Sequence, residues 1–292
     1  MSAPKPDLVI TCIAGYGWEQ IRPFALSLKH SGFQGDKVIL AAQVDPFTIE
    51  CLDNRGFEIV QFMLEGDDPR GFVIKQRFIP LLRFLAKHRH EYRYVIWVDA
   101  GDQIFQSNPS TWLEAHLPED GRALVAAREC WKIKDEPRFN APWVKATVPE
   151  EYDWLCNQEI CCGGTIAGDA ETVFQAVSKI YAMVCANPNA NDQAAWNYLV
   201  HKPFEFPVPT KILIPKMADG WTATCSAFRM NNFRSIIGLP SGDPILTDDI
   251  PVFDIPTGLV LTPDGNKAFV LLHQYNRDVR WSQLVHQKYR WD

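Results

Sequence analysis

The chain has 292 residues, 47% hydrophobic and 22% charged, enough to bury a full core without disulfide or metal staples. A formal net charge of −6 argues against nucleic acid as the main partner. No run approaches the roughly 20 apolar residues of a membrane span, and no apolar stretch behind a basic start marks a secretory leader. A cytoplasmic protein is therefore expected, and the eight cysteines, which show no CxxC spacing, are expected to be reduced thiols.

The N-terminal part alternates between two hydrophobic periods. DLVITCIA (7–14) reads as a buried strand and residues 18–32 as a helix ending at Gly32. KVILAAQV (37–44) is a second strand. A short helix follows, with Asp45 as its cap, Pro46 at its first position and Gly56 as its stop. FEIVQFM (57–63) is a third strand, residues 70–88 a helix kinked at Pro80, and YVIWVD a fourth strand. Such alternation predicts an α/β fold with a mainly parallel sheet covered by helices on both faces.

Beyond residue 110 the pattern loosens. ALVAARE (123–129) predicts a strand, whereas residues 131–158 are aromatic, charged and interrupted by prolines, as in functional surface rather than core. EICCGGTIAGD predicts a strand and a glycine pair, with a helix from Asp169 to Ala186. NDQAAWNYLV predicts a helix capped by Asn191 or Asp192. FEFPV and GLVLT look like strands. Residues 267–281 predict a strong strand and then a polar turn. No internal repeat or interdomain linker is evident.

Ligands of open parallel sheets bind at the carboxyl ends of strands, and several such ends carry polar or small residues. Ala14, Gly15 and Tyr16 follow the first strand, but AGYGWEQIRP lacks a full dinucleotide fingerprint. Asp99 and Asp102 end the fourth strand. They are either a solvated strand end with a turn cap or carboxylates for a hard cation such as Mg²⁺ or Mn²⁺. His273 ends the last strand and is either a core histidine or a further ligand, which would favour Mn²⁺. Asp192 either caps its helix or projects into a cleft as a base or electrostatic stabiliser. Gly163 and Gly164 allow close packing or leave room for a sugar. Lys75, Arg77 and Arg83 could face phosphate or solvent.

In this order, the residues resemble the GT-A glycosyltransferases, from residue 7 to about residue 280. VIWVDAGD is similar to the Asp-x-Asp motif that follows an apolar strand in that family. HQYNR is similar to the late histidine, and NDQAAWNYL to the Asp-Gln…Asn helix beside the donor sugar. The pattern departs from Asp-x-Asp, since Gly101 stands where the second acid would be and Asp102 follows it.

The resemblance implies a single GT-A, Rossmann-like domain over residues 1–292, with a nucleotide-binding half (7–110) and an acceptor-binding half (111–292). It implies transfer of a hexose or pentose from a nucleotide sugar, UDP-linked, to a glycan or other hydroxyl acceptor, with Mn²⁺ or Mg²⁺ as cofactor. Asp99, Asp102 and His273 would hold the metal. Ala14, Gly15 and Tyr16 would lie against base and ribose, beside the turn residues Ala100 and Gly101, with Arg77 or Arg83 near the sugar or phosphate. Gly163, Gly164 and Gln193 would border the donor sugar. Asp192 would be the catalytic carboxylate, a base if the enzyme inverts or a neighbour of the anomeric centre if it retains. The aromatic stretch Trp131 to Trp154 would form an acceptor face. Two alternatives stay open: a sugar nucleotidyltransferase, against which the missing basic loop counts, and a non-catalytic glycan- or nucleotide-binding module, which Gly101 keeps in play.

Overall fold

The computed structural model describes residues 5–65, 75–118, 121–225, 251–254, 256–277 and 279–290. The N-terminal part follows the predicted alternation: β1 (Leu8–Ala14), α1 (Trp18–His30), β2 (Asp36–Ala42), α2 (Pro46–Asp53), β3 (Glu58–Gln61), α3 (Phe78–His88) and β4 (Tyr94–Val98). Asp45 caps α2 as expected, its Oδ1 accepting from the Thr48 N–H at 2.9 Å. Next come β5 (Gln103–Phe105), α4 (Pro109–His116), β6 (Ala123–Lys132), α5 (Asn140–Thr147), α6 (Tyr152–Leu155) and β7 (Glu159–Asp169). The chain continues through α7 (Ala170–Ala186), α8 (Asp192–His201), β8 (Lys211–Leu213) and β9 (Thr222–Thr224). It closes with β10 (Val252–Asp254), β11 (Leu259–Leu261), β12 (Leu271–His273) and α9 (Val279–Lys288).

The main sheet has the order β3-β2-β1-β4-β7-β6-β8. β1, β2, β3 and β4 run parallel, β7 runs antiparallel to both β4 and β6, and β8 is parallel to β6. Chain order reverses between β1 and β4, so the crevice at their carboxyl ends is a topological switch point. A small sheet, β5-β12-β9, sits beside it and sets His273 opposite both Gln103 and Thr224.

Strand alternation divides the core between the two faces of the sheet. Tyr94, Ile96 and Val98 pack with Val9, Ile13 and Phe24, while Val95 and Trp97 pack with Leu8, Ile10, Phe78 and Leu81 on the other face. α3 is held by its apolar stripe Phe78, Leu81 and Leu85, with Phe78 edge-on to Trp97 at 5.0 Å. That anchoring sets where Arg77, immediately before the helix, can reach.

Several expectations need correction. Pro80 lies in the first turn of α3, where a missing N–H costs no helical hydrogen bond, so it is not an interior kink. Residues 70–74 of the expected helix lie outside the described residues. The stretch 131–158 is not surface alone: Trp131, Ile133, Ala141, Val144 and Leu155 form a separate core with Ile160 of β7 and Ala194 of α8, while Phe139 and Trp154 stay exposed. Its irregular sequence reflects α5 and α6, which are too short to show a period. The glycine pair does not end its strand, because β7 runs straight through it to Asp169. FEFPV forms no strand, and its first two residues belong to a 3₁₀ turn, Pro203–Glu205. The final strand is short and is followed by α9, whose Trp281 and Val285, with Tyr289 just past its end, recur every four residues and pack on the small sheet.

Trp131 is 3% exposed. Trp131→Ala should therefore lower stability by about 3–5 kcal/mol in urea unfolding, where an exposed sugar-stacking tryptophan would cost little.

Candidate active site

Three chain segments meet at the carboxyl edge of β4. Asp99 continues that strand, and its N–H donates to the Gly164 carbonyl at 2.9 Å. Arg77 reaches over from the start of α3. Its Nη1 donates to Asp99 Oδ1 at 2.8 Å and its Nη2 to Asp192 Oδ2 at 2.5 Å. Asp192 is the first residue of α8, where the helix dipole favours an anion, while Asn191 caps the helix from outside. The Arg77 guanidinium also lies 5.2 Å from the Trp97 ring centroid. Burial works against its charge, yet Asp99 and Asp192 outweigh that and raise its pKa above the ordinary value.

His273 arrives from the small sheet, with Nε2 3.3 Å from Asp102 Oδ1 and Nδ1 3.3 Å from Cys162 Sγ. Gln274, in the left-handed region at φ 59°, turns the chain there and donates its N–H to the Asp102 carbonyl at 2.7 Å. Asp99 and Asp102 keep 38% and 21% of their side chains exposed, so a ligand can reach them; His273, at 2%, is buried. Burial pushes the Asp99 carboxyl up, helped by Asp102 and Asp192 and opposed by Arg77. For Asp102 burial also pushes up, but His273 and Arg277 prevail and leave it below the usual range.

Glycines make this convergence possible. A Cβ on Gly164 would lie 2.6 Å from Asp99 Oδ2 and 2.8 Å from His273 Cε1, so these two side chains close on a place that only glycine leaves empty. A Cβ on Gly101 would lie 2.6 Å from the Tyr16 hydroxyl. The Tyr16 ring therefore covers the position where an Asp-x-Asp motif would carry its second acid, and the acid appears one residue later. Burial and the charges of Asp99 and Asp102 push the Tyr16 phenol up to about 12.

Of the expected site residues, Ala14, Gly15 and Tyr16 follow or end β1, and the Gly15 N–H donates to Ala42 O at 3.0 Å with φ 67°. Ala100 turns its side chain into the core at 3% exposure, so only its backbone can serve a ligand. Gln193 is engaged with β7: its Oε1 accepts from the Gly163 N–H at 2.5 Å and its Nε2 donates to Cys161 O at 2.8 Å. Arg83 stands exposed on α3; its charge acts on Tyr181 of α7, and no hydrogen bond or ion pair joins it to Asp99 or Asp102.

Sequence reasoning overlooked two supporting residues. Gln103 is fully buried and donates to Gly164 O at 2.5 Å; it adjoins Asp102, which could have flagged it. Cys162, beneath His273, gives no sequence signal beyond its proximity to the glycine pair.

Two carboxylates and an imidazole suit Mn²⁺ by ligand type, and Gly164 leaves Asp99 and His273 facing each other. Asp99 is nevertheless turned to Arg77, and among the described residues no three such side chains are already gathered as a metal cage.

No protein-family model matches the sequence, and no curated protein matches it. Among solved structures, the galactosyltransferase LgtC in complex with donor and acceptor sugar analogues matches over 96% of this chain and 95% of its own, at 11% identity and a TM-score of 0.53. An active-site mutant of LgtC matches over the same shares, at 10% identity and a TM-score of 0.53. The bifunctional glycosyltransferase WbbM matches 75% of this chain at 13% identity and a TM-score of 0.49, and the chain spans 40% of WbbM. The likeness to LgtC establishes the fold, the GT-A arrangement of a mainly parallel sheet flanked by helices. No helix among the described residues is long and apolar enough to cross a membrane.

Because Tyr16 covers Gly101, Gly101→Ala should cost about 1–3 kcal/mol in urea unfolding as the ring is displaced. In a Tyr16→Ala background the same change should cost close to nothing.

Proposed function

We propose that the protein is a glycosyltransferase that moves a sugar from a nucleotide-diphosphate sugar, UDP-linked, to a hydroxyl of a glycan or glycoconjugate. The observation that carries this reading is the meeting of Asp99, Asp102, Gly164, His273 and Arg77 at the switch point of a GT-A sheet, beside the Gly15 turn. Fold likeness alone does not assign chemistry; the reachable carboxylates and the approach of Asp99 and His273 over Gly164 supply the support.

In this reading Tyr16 and the Gly15 turn border the nucleoside. Asp99, Asp102 and His273 would hold Mn²⁺ or Mg²⁺, which when bound supplies charge neutralisation for the departing diphosphate. Arg77 is the fixed cation on the sugar side, tethered by both carboxylates. Asp192, its anion held by Arg77 and the α8 N-terminus, stabilises positive charge developing at the anomeric carbon. Gly164 makes room for Asp99 and His273 over β7, while Gly163 makes room for the Gln193 side chain. Gln193 contributes by bracing β7 beneath the sugar. The pairing of Asp99 with Arg77 favours a second reading, a binding module without turnover, which the same experiment separates.

Incubation with a panel of nucleotide sugars, with Mn²⁺ or with EDTA, should release nucleoside diphosphate in the Mn²⁺ arm only. Asp102→Asn should lose metal-dependent donor binding in calorimetry. Asp192→Asn should keep donor binding while kcat falls by about 10²–10³. Donor binding without release under any condition would favour the binding module; neither binding nor release would refute both readings.

A further inference from the structure

Two large apolar side chains stand in water at the far end of α8, around a single ammonium. Trp154 of α6 is 40% exposed, and Phe204 of the 3₁₀ turn Pro203–Glu205 is 73% exposed. Lys202 Nζ lies 5.5 Å from the Trp154 ring centroid, 5.7 Å from that of Phe204 and 5.3 Å from that of Tyr198 on α8. The core imposes these outward positions. Leu155, next to Trp154, and Phe206, two residues past Phe204, are both buried, so each ring is held out by a neighbour that is held in.

The place of the patch follows from α8. The helix starts at Asp192 and climbs β7 from the glycine pair to its first residue. Gln193 is bonded to Gly163 and Cys161, Asn197 to Cys161, and His201 to the Glu159 carbonyl. β4 ends at Val98 opposite Thr165, so this part of β7 projects beyond the carboxyl edge of the sheet. The patch therefore lies on the same side as the candidate site, about 15 Å from Asp192 by the length of the helix. One sugar ring does not span that distance; a short oligosaccharide does.

The chemistry of the patch selects its occupant. Lys202 pairs with Glu151, and Lys179 lies 3.8 Å from Glu205, which also accepts from the Tyr198 hydroxyl at 3.4 Å. Two cations paired with two acids leave no net charge to attract a phosphate, an acidic glycan or a basic peptide. What remains is a set of ring faces edged by fixed donors and acceptors. A neutral sugar has the complement of both, with C–H groups on its faces and hydroxyls on its rim. An apolar protein surface would bury the same ion pairs with nothing to receive their hydrogen bonds, at a desolvation cost.

We propose that Trp154, Tyr198 and Phe204, with Lys202 and Glu151, form a binding subsite for a neutral sugar unit of an extended glycan. That this glycan is the acceptor, held here at a unit remote from the reacting hydroxyl, rests on the transferase reading. Binding itself needs neither donor nor metal.

The test is an array of immobilised glycans probed with the full-length protein alone. It carries neutral hexose chains of increasing length, with sulfated and sialylated chains beside them. The wild type should bind neutral chains and favour the longer ones. Trp154→Ala and Phe204→Ala should each weaken that binding about tenfold or more, and Phe204→Trp should keep it. With the chain so identified as acceptor, Trp154→Ala should raise KM and leave kcat unchanged. No binding to any neutral chain, binding of charged chains alone, or full binding by both alanine variants would overturn the proposal. So would a dimer in sedimentation that Phe204→Ala splits, since a second copy of the chain would then occupy the patch. Ring-dependent binding without nucleoside diphosphate release from any donor would keep the glycan subsite and refute the transferase reading instead.

Discussion

Arg77 stands immediately before α3 with Asp99 on one side and Asp192 on the other, at 2.8 and 2.5 Å, its side chain only 12% exposed. A guanidinium in so dry a place holds its position only while both carboxylates remain, since an unpaired buried charge costs several kcal/mol. The pairing links three stretches far apart in sequence: the residues before α3, the end of β4 and the start of α8. Each is held independently by apolar packing, α3 by Phe78 and Leu81 and α8 by Trp196 and Leu199. The ion pairs therefore act on a scaffold that already brings them within reach.

Around that clamp, positions without side chains do as much as those with them. Gly164 lets an acid and a histidine converge over one strand, and Gly101 yields its space to Tyr16. The second consequence accounts for the unusual spacing of the two acids. With a tyrosine ring over position 101, the later acid comes from position 102, one residue on and just before β5, where His273 lies opposite Gln103. Carboxylates spaced three apart in sequence are thus brought together with the same imidazole by a second, smaller sheet.

Much of this was visible in the residue pattern. The parallel strands and their helices follow from clean alternation of periods; Asp99, Asp102 and His273 stand out as polar groups at the ends of apolar strands, and Asp192 as an acid opening a helix. Arg77 was one of several cations on a helix, and nothing local distinguished it from Arg83; only the rotation of α3 on the sheet did. Trp131 misled for another reason: β6 runs on past residue 129 to Lys132 through a shift in register, and carries the ring into the core. Cys162 gave no signal beyond its place next to the glycine pair, because its position beneath His273 depends on β7 running on past two glycines that look like its end.

The clamp is tested most directly by a double-mutant cycle between Arg77→Met and Asp192→Asn, read by urea unfolding. If Arg77 holds the two carboxylates together, the two changes should be non-additive, with an interaction energy of about 1–3 kcal/mol. Additivity within about 0.5 kcal/mol would contradict it, and would leave Asp99, Asp192 and Arg77 as neighbours without mutual dependence.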